Sequence, residues 1–160
     1  MNIVSHDDQN IFEVIIREAL RDPAAKTVPR IYVRRYTIPE KDFRELLTGP
    51  NQESQPLILT FLSGDHPVID IASRFFLTSN WTPSEESESV ELAFDRYSSL
   101  PCDKQTKVEF AFTEPVIAGV EQVFYAVCHR GFLSAQGFIC VFSGTSADPK
   151  EHRIIPIWQS

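Results

Sequence analysis

Two stretches in the second half, Val120 to His129 and Gly137 to Ser143, are apolar at odd and even positions alike. A strand with two apolar faces must be covered on both, by other parts of the chain or by a partner. This requirement constrains the fold more than any other feature. The neighbouring segments alternate instead. Val90 to Tyr97 sets Val90, Leu92 and Phe94 against Glu91, Ala93 and Asp95. Lys107 to Thr113 sets Val108, Phe110 and Phe112 against Glu109 and Ala111. Arg153 to Trp158 reads as a last strand.

The first half supplies the cover. Ile11, Ile15 and Ala19, with Phe12, Ile16 and Leu20, recur every four residues and form one broad apolar stripe. Ser5 or Asp7 can cap this helix, and Asp22-Pro23 ends it. Arg30 to Tyr36 reads as a strand. Pro39 opens a short second helix over Glu40 to Leu47, which Gly49-Pro50 closes. Leu57 to Leu62 is a short apolar run, most simply a buried strand. Val68 to Thr78 fits either period and leans to strand or irregular structure. Residues 79–89 are polar and acidic and predict an exposed loop. The fold class is therefore α+β: an N-terminal helix and a short second helix packed on a curved, mostly antiparallel β-sheet. At 160 residues this is a single domain, 1–160.

The tail runs from Val123-Phe124-Tyr125-Ala126-Val127-Cys128 through Gly131 to Leu133, then Gly137-Phe138-Ile139 and Trp158. It resembles the end of small uncharacterised bacterial α+β domains, in which two long strands meet at a Gly/Leu turn before a strand containing Trp. The resemblance covers about the last 40 residues. It implies a β-meander and carries no activity.

The net charge of −7, from 15 basic and 22 acidic residues, argues against a general nucleic-acid binder and against anionic membranes. No apolar run approaches a membrane span, and the N-terminus lacks the pattern of a secretory signal. Three cysteines are too few for a disulfide scaffold. Together these predict a soluble cytoplasmic protein with reduced thiols. No Gly-rich phosphate loop, nucleophile elbow or paired metal ligands occur, so neither cofactor nor metal is expected.

Arg30, Tyr32, Arg34 and Tyr36 share one strand face at period two, and form the best candidate binding surface, for an anion or a stacked base. The plainer reading is a solvated face with arginine stems over tyrosine rings. His66, Tyr97, Tyr125 and His129 are the polar candidates for a pocket between sheet and N-terminal helix. His66 in Gly64-Asp65-His66-Pro67 equally suits a turn. Cys128 and His129 point to opposite strand faces, which argues against a nucleophile and its base. A hairpin centred on Ser134 would set Cys128 opposite Cys140, as packed side chains or as a redox pair. Glu85, Glu86, Glu88, Glu91 and Asp95 form an acidic cluster without the glycine of a calcium loop.

Three function classes follow. The leading one is a non-catalytic binding or protein-interaction domain, whose apolar sheet face makes a homodimer or docks a protein partner. The second is a small ligand-binding protein or enzyme with a pocket under the helix. The third is an acidic immunity-type inhibitor of a basic partner.

Overall fold

A computed structural model describes residues 6–48, 55–71, 82–83, 89–92, 98–131, 134–145 and 148–160. Its elements are helix α1 (His6–Leu20), strand β1 (Val28–Arg34), a 3-10 turn (Glu40–Asp42), α2 (Arg44–Leu47) and α3 (Gln55–Leu62). Strands β2 (Thr82–Pro83), β3 (Ser89–Leu92), β4 (Cys102–Phe112), β5 (Val116–Ala118), β6 (Glu121–His129), β7 (Ala135–Thr145) and β8 (Asp148–Gln159) follow. The described strands form one sheet in the order β2-β3-β1-β4-β6-β7-β8, with β5 beside β6. β1 and β4 run parallel, and the other described pairings are antiparallel. This is a sheet-rich α+β fold. No described helix is long and apolar enough to cross a membrane.

Both faces of the central strands are filled from within the chain. On β6, Phe124, Ala126 and Cys128 join a buried cluster with Ile11, Phe12, Ile15 and Ile16 of α1. The Phe12 ring lies 4.5 Å from that of Phe112, centroid to centroid. The alternate residues Val123, Tyr125 and Val127 join a second cluster with Phe43, Leu47, Ile58 and Phe61. The double apolar pattern that suggested self-association is thus satisfied inside one chain. At the C-terminal end of α1, the Arg130 guanidinium donates to the Ala19 carbonyl, a favourable cation at the negative end of the helix dipole.

Several expectations change. Leu57 to Leu62 is helix, not strand. Pro56 stands in the first turn, where its missing N–H is harmless. Burial then follows the helical period: Ile58 and Phe61 are buried three residues apart, while Leu59 stays 57% exposed. The short second helix divides at Phe43 into a 3-10 turn and α2. Of Val68 to Thr78, residues 68–71 are irregular apart from a bridge between Asp70 and Tyr36, and 72–78 lie outside the described residues. Of the expected loop 79–89, the described residues Thr82, Pro83 and Ser89 belong to β2 and β3.

The β6–β7 hairpin is centred two residues earlier than expected. Cys128 faces Gln136 and Cys140 faces Phe124, because Arg130 N–H closes the loop on the Ser134 carbonyl (2.7 Å). The register therefore differs from the expected one by four, an even number, which keeps both cysteines on the α1 face but removes their pairing. Both are free and buried.

Candidate functional site

The second sheet face has two halves. Around Tyr125 it is apolar and shared with the helix residues of the second cluster. Toward β3 it becomes polar. Ile31 and Val33 of β1 belong to the α1 cluster, so alternation sends Arg30, Tyr32 and Arg34 to the opposite face. The same alternation places Ser89 and Glu91 of β3, Lys107 and Glu109 of β4, and His129 of β6 beside them. Strand register aligns Glu91, Tyr32, Glu109 and His129 in one row across four strands.

Fixed contacts organise this half. Arg30 donates through Nε and Nη2 to the two oxygens of Glu91 at 2.8 and 2.7 Å. Arg34 Nη2 donates to Glu109 Oε1 at 3.0 Å, and the Ser89 hydroxyl donates to Glu109 Oε2 at 2.8 Å. The Arg30 guanidinium carbon lies 5.4 Å from the Tyr32 ring centroid, and Lys107 Nζ lies 5.8 Å from it. Two cations over one ring leave Tyr32 only 8% exposed. Its face is therefore closed to a stacking base. Arg34 keeps 44% of its side-chain surface exposed.

The electrostatics follow from these contacts. The hydrogen bond from Arg30 holds the Glu91 carboxyl below the usual carboxylate range, and the Glu91 bond raises the Arg30 pKa in turn. Burial lowers the pKa of His129, although Glu109 across the strand pulls it upward. Near neutral pH His129 is therefore mostly uncharged. Cys128, its chain neighbour, points to the α1 side, where burial pushes its thiol up. What this half offers is three cations and two acids in set positions, suited to holding a charged group.

The structure brings Arg30, Tyr32, Arg34 and His129 together, joining two sets that the sequence kept apart. Tyr36 lies beyond β1, which ends at Arg34, and carries the Arg35 guanidinium 5.2 Å from its ring centroid, while Arg35 pairs with Asp70 at 2.9 Å. Of the other pocket candidates, Tyr125 and His66 both pack on Phe43 in the apolar half. Tyr125 is 1% exposed, and its hydroxyl accepts the Trp158 indole N–H at 2.6 Å. Its burial pushes that phenol up to about 12. The His66 ring packs against Phe43 and Phe61. Tyr97, like Glu85, Glu86, Glu88 and Asp95 of the acidic cluster, lies outside the described residues. A cleft of about 530 Å³ opens beside the end of α1, between Arg21, Val28 and Leu100, and among the described residues none of the predicted site residues lines it. No group of His, Cys, Asp and Glu able to hold a metal occurs among the described residues.

Lys107, Glu109 and Ser89 belong to the site and were missed as members. Alternation in Lys107 to Thr113 does mark Glu109 as polar-face. Its meeting with Arg34 requires the parallel β1–β4 pairing, for which the sequence carries no local signal. No family model matches this chain, and no curated protein or solved structure matches it either.

Proposed function

We propose that this chain is a non-catalytic binding domain, and that its contact surface is the polar half of the second sheet face. The partner is a protein segment that presents carboxylates to Arg30, Arg34 and Lys107. The observation that carries this reading is the juxtaposition of these three cations on adjacent strands, with Glu91 and Glu109 holding both arginines in place. Arginines already held in position lose less rotamer freedom on binding, so more of each new contact appears as affinity. Arginine is also among the side chains that protein interfaces favour. The surrounding fold is a mostly antiparallel sheet, which we read as curved, with the helices packed as covers on its two faces. Since those apolar faces are filled from within, the polar half is a better candidate for a partner than a homodimer through the sheet.

The test is an amide-shift titration at low salt with an oligo-glutamate peptide, inorganic phosphate and a single-stranded oligonucleotide, added separately. The peptide is expected to move the amides of residues 30–34, 107 and 129. The Arg34→Gln/Lys107→Gln variant should lose at least about tenfold in affinity, since each charge-assisted contact is worth roughly 1.5–3 kcal/mol. Silence with all three probes, or shifts confined to other surfaces, overturns the reading.

A further inference from the structure

The cover over the apolar half of the same face holds a polar ring wedged between phenyl rings. His66 follows α3, and its ring centroid lies 5.0 Å from that of Phe43 and 4.4 Å from that of Phe61. The side chain as a whole is half-buried, yet both ring nitrogens are buried, and although the Phe61 and Leu62 carbonyls lie close, neither nitrogen makes a hydrogen bond of normal geometry among the described residues. Phe43 and Phe61 are themselves fully buried, and Phe43 reaches the Tyr125 ring of β6 at 5.8 Å. The imidazole thus stands where the 3-10 turn, α2 and α3 meet the sheet.

We propose that His66 is an acid-operated latch: protonation of its wedged ring loosens the cover formed by residues 40–47 and α3, and exposes the apolar half of the second sheet face. A neutral imidazole can lie between two phenyl rings as an aromatic filler, whereas an imidazolium there must surrender its hydration. The groups facing it divide. The Glu40 carboxylate and the carbonyls of Phe61 and Leu62 favour the charged ring; burial, the largest influence, and the Arg44 guanidinium oppose it, so its pKa is lowered. Glu40 is already engaged by Arg44, which also holds its carboxyl below the ordinary range. That pair survives mild acid, so the Glu40–Arg44 contact stays in place while the ring titrates. The Tyr125 hydroxyl beneath is taken by Trp158. This latch is independent of the polar-half reading and stands or falls separately.

The experiment measures hydrogen-exchange protection of the Leu59 to Leu62 amides at about pH 7.5 and about pH 5, with the ring resonances of His66 followed alongside. Protection is expected to fall about tenfold on acidification, while that of Phe138 to Phe142 in β7 holds. The ring should titrate with a midpoint below that of an unhindered histidine. His66→Phe keeps an aromatic filler and should abolish the acid-induced loss. Unchanged protection at about pH 5, a ring midpoint at or above the ordinary value, or the same loss in His66→Phe overturns the proposal. The first two readouts use the unaltered protein and do not depend on the variant folding.

Discussion

Where β4 ends, a side chain takes the place of a main-chain partner. The Thr113 N–H donates to the Tyr125 carbonyl at 3.0 Å, and the Thr113 hydroxyl accepts the Tyr125 N–H at 2.9 Å. Thr113 is buried, so water cannot replace that hydroxyl. Thr113→Val preserves shape but leaves a buried N–H unsatisfied, and should cost about 1–3 kcal/mol in urea unfolding. Thr113→Ser should retain most of the stability; equal losses in both variants would point to methyl packing instead. Threonine after an alternating strand reads from the sequence only as the strand's end. Its role depends on which residue of β6 arrives opposite, and that is decided twelve residues away.

At the scale of elements, α1 and the β7–β8 pair show two kinds of fit. Phe12 touches Phe112 and meets Phe124 edge-on at 5.7 Å. Phe12→Ala should cost about 3–5 kcal/mol, read from the urea midpoint, because α1 cannot collapse into the gap without leaving its other contacts. In the β7–β8 pair, Gly137 faces Trp158, and a Cβ at Gly137 would overlap the indole. Gly137→Ala should displace Trp158, weaken its bond to Tyr125, and cost about 1–3 kcal/mol. A red-shifted tryptophan emission checks this, and an unchanged spectrum with unchanged stability contradicts it. The α1 stripe was legible because its period is local. Leu57 to Leu62 was misread because a six-residue apolar run carries both periods; Pro56 was the available cue, and burial of Ile58 and Phe61 against Phe43 settles the matter.

For the whole molecule, acid titrates the shifted groups in one direction. His66 and His129 have folded pKa values below the ordinary histidine value, and Glu40, Glu91 and Asp103 below the ordinary carboxylate value. In each case the unfolded chain binds more protons. The stability these groups contribute is full above their unfolded values and falls as pH drops through the folded ones. Relief of the net −7 charge acts oppositely but is screened at physiological salt. Urea midpoints should therefore decline below about pH 6.5 and again below about pH 4.5. His66→Phe should flatten part of the first decline; a midpoint that rises between about pH 6.5 and about pH 5 contradicts the assignment. Features that depend on near neighbours are written in the residues themselves: the apolar stripe of α1, the alternating and two-faced strands, and hence an α+β sheet with β6 and β7 inside it. The hairpin register that separates Cys128 from Cys140, the parallel β1–β4 pairing that brings Arg34 to Glu109, and the burial that wedges His66 between Phe43 and Phe61 come instead from contacts between distant segments. Periodicity is written into adjacent residues, whereas register and ion pairing are set by long-range contacts that compete only once the chain has closed on itself.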